Sequence, residues 1–269
     1  MIAALSTHND CKAQFYYRDI ISNAQANKEI SSYKKAGVRT IKIRSFEANG
    51  EESGDFFCEK RIGKDYKKST LYTRTGNTGK SLMESYYNEK GQIIRSYDSS
   101  EMAITATSFF YDSENKLFRT VSNSRSSDDD YVNELREEHI YQYDPAGIIL
   151  SMWRVKNGND SLLVLFSTDE NNNIAIEKET KNGSKYYYYY DEAGRLTDLV
   201  HANEFKQKMI ADYIFEYDET GNIAKMTTSE DANGNFSVWR YDYENGLKKS
   251  ERIFDTKGML MGKITYEYK

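Results

Sequence analysis

Side chains of alternating character run through much of the chain. In residues 212–217, for example, every second residue is a large aromatic: Tyr213, Phe215 and Tyr217. Successive side chains of a β-strand point to opposite faces of a sheet, so this alternation predicts a strand whose two faces differ. Comparable segments recur along the chain and are separated by turn-forming residues.

A short motif, Y-D-x-x-G-x-[IL], follows several of these segments. Its strict copies begin at Tyr143, Tyr190 and Tyr217. Weaker copies in the same frame begin at Tyr87, Tyr111, Thr168, Tyr243 (shortened) and Phe254. The second residues of successive copies stand at positions 88, 112, 144, 169, 191, 218, 244 and 255, so the usual step is in the twenties. That step has the length of two strands and two turns, which indicates a repeat protein.

The motif predicts one turn geometry. An Asp at its second position accepts backbone N–H groups just ahead of it, and the Gly position adopts a left-handed conformation that completes a hairpin with a bulge. Where Gly is missing, Asn115 and Asn173 are the next most tolerant residues for that conformation. Pro145, the only proline, falls at the second turn position, where its fixed φ fits.

Asn-Gly pairs lie between the acidic turns and predict two-residue hairpins. They are Asn157-Gly158, Asn182-Gly183 and Asn233-Gly234. Each unit is therefore strand, acidic turn, strand, Asn-Gly-type turn. The predicted fold class is all-β: an antiparallel meander of β-hairpin repeats that forms a curved, twisted sheet or an open barrel-like wall. The first and last strands of such a sheet need cover, because unpaired edges invite pairing with other chains.

One short helix is expected near the N-terminus, at about residues 18–36. Ile20, Ala24, Ile30 and Tyr33 recur there at roughly helical spacing, and Gly37 can end the helix. We expect it to pack against the first end of the sheet and to cap it. The domain prediction is a single β domain over residues 15–269, helix included.

Five consecutive tyrosines occupy residues 186–190. In a strand, Tyr186, Tyr188 and Tyr190 face one side and the other two face the opposite side. Both faces are then aromatic, which predicts a strand that is covered on both sides or lies where the sheet curls. Cross-strand aromatic packing explains the run better than a ligand site does.

Composition narrows the classes of partner. The 37 Lys and Arg residues and the 42 Asp and Glu residues give a net charge of −5 and are scattered, which argues against nucleic-acid binding. The 23 tyrosines suit a thin sheet with half-buried faces. No apolar run has the length of a transmembrane span.

The N-terminus and the cysteines leave alternatives open. Residues 1–14 are too polar for a full signal peptide, and they are interpreted as the remnant of an export signal or as a disordered tail. Cys11 and Cys58 form one disulfide or remain a free pair.

The turn motif resembles the repeat of the Rhs/YD-repeat family, from roughly Tyr86 to Lys269. The resemblance implies a sheet of β-hairpins that spirals into a curved wall, in bacteria often exported or at the cell surface. Large members of the family close this wall into a shell around a C-terminal toxin. This chain is too short to enclose a toxin and ends within a unit, so toxin delivery is not expected of it. Asp144 to Ile148 also resemble the self-cleavage motif of such shells, but a turn explains these residues fully.

Few residues suggest chemistry. The histidines His8, His139 and His201 lack metal-ligand spacing and are expected at surface or sheet positions. Asp231, Asn233 and Asn235 imitate the start of a calcium loop, but the later positions of the loop do not fit, so turn chemistry explains them better. Residues 128–130, a run of three aspartates, are interpreted as a solvated loop. We therefore predict no catalytic residue, no cofactor and no metal.

The leading hypothesis is a non-catalytic binding or scaffold protein of the bacterial cell envelope, in the periplasm, outer membrane or at the cell surface. Its partner would be an unknown protein or a glycan, with carbohydrate binding by exposed aromatics as one variant. The alternative is a cytoplasmic immunity-type protein that binds a partner. A glycoside hydrolase with carboxylates on the concave face ranks last.

Overall fold

The computed structural model describes residues 15–76, 78–127, 134–203, 208–229 and 234–269. They form one helix, α1 (Arg18–Ala36), and an 18-stranded sheet. The strands are β1 (Thr40–Glu47), β2 (Phe57–Ile62), β3 (Lys68–Thr75), β4 (Gly79–Tyr87), β5 (Ile93–Ser100), β6 (Ala103–Tyr111), β7 (Leu117–Ser126), β8 (Leu135–Tyr143), β9 (Ile149–Lys156), β10 (Asp160–Thr168), β11 (Ile174–Glu179), β12 (Lys185–Tyr190), β13 (Leu196–Asn203), β14 (Lys208–Tyr217), β15 (Ile223–Ser229), β16 (Phe236–Glu244), β17 (Leu247–Phe254) and β18 (Leu260–Tyr268).

The sheet closes into a barrel. Each strand pairs antiparallel with its neighbour in the chain, and β1 also pairs with β18, from Ile41 opposite Tyr268 to Glu47 opposite Gly262. The predicted all-β antiparallel meander is confirmed. Because β1 and β18 cover one another, the first and last strands leave no free edge of the kind that invites aggregation.

The acidic turns cluster at one end of the barrel, here called the acidic end, where each even-numbered strand leads into the next odd-numbered one. In the turn after β12, Asp191 Oδ1 accepts the N–H groups of Ala193 at 3.0 Å and Arg195 at 2.9 Å. Gly194 is left-handed, with φ 72°. The strand register shifts by one residue beside Tyr190, which is the predicted bulge. The predicted turn geometry is confirmed.

Two details of the repeat frame were wrong. The left-handed residue of the turn after β10 is Asn172, with φ 64°, and not Asn173. The copy at Phe254 joins β17 to β18 and therefore lies at the opposite end of the barrel from the other copies. It follows the Tyr243 copy after a single strand, β17, which explains why the step between positions 244 and 255 is short.

The Asn-Gly turns are mostly longer than predicted. Asn157 and Gly158 belong to a three-residue loop between the paired Lys156 and Asp160. Around Gly183 the last strand pair is Lys178 with Lys185, so this loop is longer still. Asn233 lies outside the described residues. A two-residue turn occurs instead at Asn245 and Gly246, between the paired Glu244 and Leu247, with φ 53° and 75°.

Helix α1 lies across the barrel interior at the acidic end. It has the predicted bounds and ends at Gly37, whose φ is 72°. Along its length, Asn23 Nδ2 donates to Tyr111 Oη on β6, Asn27 Oδ1 accepts the N–H of Ile93 on β5, and Glu29 pairs with Lys60 on β2. Tyr16 also contacts Glu177 on β11 and Tyr33 contacts Tyr268 on β18, so the contacts are spread around the wall, and packing against one end of the sheet was wrong. A helix of 19 residues is about 28 Å long, which suits the wide interior of an 18-stranded barrel.

Two apolar clusters hold the helix in place. The cluster at its N-terminal end includes the fully buried Met152 and Val164 of the wall, together with Tyr16. The cluster at its C-terminal half joins Ile30 and Tyr33 to wall residues, including the buried Ile41. The helix therefore fills part of the lumen and replaces the core that a wide barrel would otherwise lack.

Five of the motif tyrosines, together with Tyr268 at the end of β18, link neighbouring units. Their hydroxyls donate to the main-chain carbonyl of a residue that begins, or lies next to the start of, the odd-numbered strand of the preceding unit. The pairs are Tyr111–Ile93 at 2.7 Å, Tyr143–Leu117 at 2.6 Å, Tyr190–Ile174 at 2.9 Å, Tyr217–Leu196 at 2.7 Å, Tyr243–Ile223 at 3.1 Å and Tyr268–Lys248 at 2.6 Å. This hydroxyl ladder explains why the motif contains Tyr rather than Phe.

We expect Tyr217→Phe to lower the free energy of unfolding by about 1 kcal/mol, because the carbonyl of Leu196 loses its hydroxyl donor in a half-buried place. Urea unfolding followed by circular dichroism measures the change. The matched control is Tyr189→Phe, since Tyr189 is 49% exposed on the outer wall. Equal effects of the two substitutions would contradict the ladder.

The tyrosine run has one buried and one open face. Tyr186 and Tyr188 are buried against the interior cluster, whereas Tyr189 is exposed. The expectation of cover on both sides was wrong, and the alternative of a curling sheet agrees with the closed barrel.

Candidate functional site

A group of buried charges lies where helix α1 begins. Glu177, on β11, is 2% exposed and accepts the N–H groups of Tyr16 at 2.8 Å and Tyr17 at 2.9 Å. It also accepts the hydroxyl of Tyr188 at 2.8 Å. The first N–H groups of a helix have no partner within the helix and carry partial positive charge, so a carboxylate satisfies them well. Burial raises the pKa of Glu177 to about 7.

His139 forms a second anchor for the same end of the helix. Its Nδ1 lies 2.7 Å from Asp19 Oδ2 of α1, and its Nε2 lies 2.9 Å from Glu137 Oε1. Burial acts to lower the pKa of His139, but the hydrogen bonds to Asp19 and Glu137 outweigh it and raise the pKa to about 9. For Glu137, burial is likewise outweighed, by His139 and Lys156, and the pKa falls to about 2.

The C-terminal half of the helix is anchored by Glu29. Its carboxylate lies 2.9 Å from Lys60 Nζ and also accepts the hydroxyl of Tyr33. Although burial opposes ionisation, Lys60 lowers the pKa of Glu29 to about 2. Glu177, His139 and Glu29 are therefore engaged in holding the helix.

Two of the three histidines and one of the two cysteines lie within the described residues. His139 lies on the inner face of β8, and His201 of β13 contacts Asp212 at 2.7 Å, so both occupy sheet positions, as one of the two expectations stated. His8 and Cys11 lie outside the described residues. Cys58 is a free, buried cysteine. Within the described ranges no group of side chains has the composition of a metal site.

The other candidates from the sequence resolve into turns or fall outside the described residues. Asp144 Oδ1 accepts the N–H of Ile148 at 2.8 Å, and Gly147 is left-handed, so the segment that resembles a cleavage motif forms an acidic turn. Of the calcium-like residues, Asp231 and Asn233 are not described. The three aspartates at 128–130 are not described either.

A groove lies on the outer wall at the acidic end, between the turn after β4 and the turn after β6. Its volume is about 580 Å³. We call it the outer groove; it is lined by Asn88, Glu89, Lys90, Gln92, Ile94, Phe109, Phe110, Tyr111, Asp112, Asn115 and Phe118. Phe110 is 40% exposed and Phe118 is 36% exposed, with ring centroids 6.5 Å apart. The site thus combines aromatic side chains with amides, carboxylates and the ammonium group of Lys90.

The bulges create this aromatic surface. Leu117 pairs with Tyr111, but the next paired residue is Arg119, opposite Phe110, so Phe118 is the extra residue. Ile94 is the extra residue of the neighbouring hairpin in the same way. An inserted residue reverses the alternation of faces, which places these side chains on the outer wall.

Hydrogen bonds within and between the two turns hold the polar border of the groove. Asn88 Nδ2 donates to Gln92 Oε1 at 2.9 Å, and Gln92 Nε2 donates to the carbonyl of Asn115 at 3.2 Å. Lys90 Nζ donates to Asn115 Oδ1. The border is therefore ordered before any ligand arrives, which lowers the entropic cost of binding.

A second depression, the mouth pocket, lies on the other side of the turn after β6, against helix α1. Its volume is about 400 Å³, and Tyr17, Ile20, Ala24, Tyr143 and Asn172 are among its lining residues. Tyr111 and Asn115 line both this pocket and the outer groove. The two depressions therefore meet at the rim of the barrel.

The outer wall beyond the groove carries ion pairs. Glu138 contacts Arg119 and Arg136, each at 2.6 Å, and Lys225 contacts Glu216 at 2.7 Å. In the part of the chain that the structure describes, the helix lacks the apolar length that a membrane span requires.

Comparison with known proteins gives distant likenesses. No family model matches the chain, and no curated protein matches it. Among solved structures it is similar to the crystal structure of TcdB2-TccC3-Cdc42 (TM-score 0.28, 10% identity, covering 80% of this chain and 16% of that one). It is also similar to the Photorhabdus luminescens Tc holotoxin pore (TM-score 0.32, 10% identity, 88% and 17%). A porin-like protein from Bacteroides uniformis is a third (TM-score 0.39, 7% identity, 86% and 98%).

This chain thus spans about one sixth of the length of the first two structures, at 16% and 17%. The likenesses are too distant to transfer a function. The resemblance to the Rhs/YD-repeat family continues to rest on the turn motif.

Proposed function

We propose that the protein is a non-catalytic carbohydrate-binding protein and that sugar rings bind in the outer groove. The observation that carries the proposal is the pair of exposed rings, Phe110 and Phe118, beside a border of amides and carboxylates. A sugar ring has an apolar C–H face, which stacks on an aromatic ring, and hydroxyls at its edge, which hydrogen-bond to groups such as Asn88 and Gln92. A concave site of this size with a few fixed polar groups is typical of small-ligand binding.

The proposal assigns binding rather than hydrolysis to the groove. A glycosidase of the usual kind needs two carboxyl groups on either side of the scissile bond. Here Asp112 Oδ1 accepts the N–H groups of Glu114 and Lys116 within its own turn, and Glu89 pairs with Lys67. Both carboxylates of the groove thus have structural contacts.

Phe118→Ala is expected to weaken binding of a retained oligosaccharide by about tenfold or more, because it removes one stacking face, a change of about 1.4 kcal/mol. Isothermal titration calorimetry measures the affinity. Tyr189→Ala is the matched control, since Tyr189 is an even more exposed aromatic, at 49% against 36%, and lies on β12, away from the groove. Unchanged affinity in Phe118→Ala, with an unchanged melting temperature, would remove the groove from the proposal.

A protein partner is the second candidate, as in an immunity-type binder. Its support is the row of exposed apolar residues on the same wall: Ile94, Phe118 and Leu150, the last 50% exposed. Leu150 is not among the lining residues of the outer groove. A protein partner that co-purifies with the wild type and is lost with Leu150→Glu, while oligosaccharide binding is unchanged, would favour this candidate.

The envelope location belongs to the same proposal. A glycan-binding protein of a bacterium meets polysaccharide in the periplasm or at the cell surface. Intact-mass measurement on fractionated native cells tests this. A form in the envelope fraction supports the location, whereas a form confined to the cytosol contradicts it.

A further inference from the structure

The outer groove and the mouth pocket lie on the two sides of one turn. They share Tyr111 and Asn115, and the neighbouring turn contributes Lys90 and Gln92, which both contact Asn115. A ligand longer than either depression would therefore pass from the outer wall to the mouth of the barrel across the rim beside Asn115.

The lining of the mouth pocket suits the same kind of ligand as the outer groove. Its apolar surface includes the rings of Tyr17 and Tyr143, and its edge includes the amides of Asn115 and Asn172. Its one lysine, Lys116, is paired with Glu114. The pocket thus offers aromatic and aliphatic side chains and neutral hydrogen-bonding groups, and its lysine is paired.

The crossing point is held in place before binding. Asn115 is left-handed, with φ 68°, and Lys90 and Gln92 hold its side-chain and main-chain oxygens. Tyr111 Oη donates to the carbonyl of Ile93 at 2.7 Å and accepts from Asn23 of helix α1 at 2.7 Å. Helix and turns therefore form one surface, and a chain that spans it binds at a small ordering cost.

We propose that the ligand is a linear, neutral oligosaccharide that occupies both depressions and crosses the rim beside Asn115. This proposal rests on the proposed function, because it takes the outer groove as the first subsite. It makes helix α1, which fills part of the lumen, also one wall of the second subsite.

Titration with saccharides of increasing length tests the proposal. The probes are the disaccharide, tetrasaccharide and hexasaccharide fragments of a polysaccharide that the wild-type protein retains. The wild type is expected to bind the hexasaccharide about tenfold more tightly than the disaccharide, because only the longer chain reaches the second subsite.

Ala24→Trp fills the mouth pocket without touching the outer groove, since Ala24 is exposed and lines only that pocket. It should keep the affinity for the disaccharide and lose the gain with length. Gln25→Trp, on the adjacent exposed residue outside the pocket, should keep the gain.

Three results overturn the inference: no gain with length in the wild type, the same gain in Ala24→Trp, or the same loss in both variants. Absence of binding by every fragment and by the polysaccharide itself would instead remove the proposed function, so the two failures are distinguishable.

Discussion

Replacing Glu177 by alanine is expected to lower the free energy of unfolding by about 3 kcal/mol. The substitution removes the acceptor of two main-chain N–H groups at the start of helix α1 and of the Tyr188 hydroxyl. These donors are buried, and a buried donor without an acceptor costs more than the bond itself contributes. Tyr17, the N-cap residue of the helix, makes no side-chain capping hydrogen bond, so no local group replaces the carboxylate.

Urea unfolding at pH 6 measures this effect. That pH lies below the raised pKa of Glu177, so the cost of burying its charge does not mask the lost hydrogen bonds. Glu177→Gln keeps one acceptor oxygen, so it should lower the free energy of unfolding by less than Glu177→Ala does. Lys178→Ala, an exposed neighbour on the same strand, should change the unfolding free energy by less than about 0.5 kcal/mol. Equal losses in Glu177→Ala and Lys178→Ala would show that the helix does not depend on this cap.

The protein is expected to lose about 3 kcal/mol of stability as the pH rises from 6.5 to 9, through the deprotonation of His139. Its pKa in the folded protein is raised, so its contribution is complete below 6.5 and is lost as the pH passes through about 9. The physical source is the pair of carboxylates, Asp19 and Glu137, that contact the buried ring.

Glu177 adds a second loss of stability with rising pH, in a lower pH range than that of His139. Its folded-state pKa of about 7 lies above the ordinary 4.5, so the folded protein holds this proton more tightly than the unfolded chain does. Its contribution to stability is therefore complete below pH 4.5 and is lost as the pH rises to about 7. Glu29 and Glu137 have pKa values lowered to about 2, so their contributions are lost as the pH falls below 4.5. Maximal stability is therefore expected in mildly acid solution.

Unfolding free energies measured from pH 4 to pH 9 separate these groups. His139→Gln should flatten the profile between pH 6.5 and 9 and leave the lower decline in place. Glu177→Gln should remove the decline between pH 4.5 and 7 alone. If the stability of His139→Gln still falls by the full amount between pH 6.5 and 9, another group anchors the helix.

Local structure was largely predictable from the sequence. An Asp that opens a turn and a Gly or Asn that must be left-handed fix the acidic turns, because both requirements are met within a few residues of the chain. The bounds of helix α1 followed from the spacing of residues such as Ile30 and from Gly37. These features depend on near neighbours, which a sequence displays directly.

Closure of the barrel and the place of the helix were not predictable in this way. The pairing of β1 with β18 joins residues more than 200 positions apart, and Glu177 caps a helix 160 positions away. Nothing in the local pattern near Ile41 or Tyr16 specifies such partners.

Because of the inserted residues, simple alternation along a strand assigns some side chains to the wrong face of the sheet. Counting from the buried Ile174 by twos places Ile176 inside and Glu177 outside. The register shift after Ile174 reverses this, so Glu177 faces the helix. In β7, counting back by twos from Thr120, whose hydroxyl donates to Asp19 of the helix, would place Phe118 inside, whereas the inserted residue leaves it on the outer wall. A systematic shift by one residue after each acidic turn was the signal in the sequence that could have found both residues.

The most direct measurement of the central claim is a glycan array probed in parallel with the wild type and with Phe110→Ala/Phe118→Ala. The account predicts that the wild type is retained on at least one class of neutral polysaccharide and that the double variant, folded to the same melting temperature, is not. Absence of wild-type retention on every glycan, or equal retention of both proteins, would contradict it.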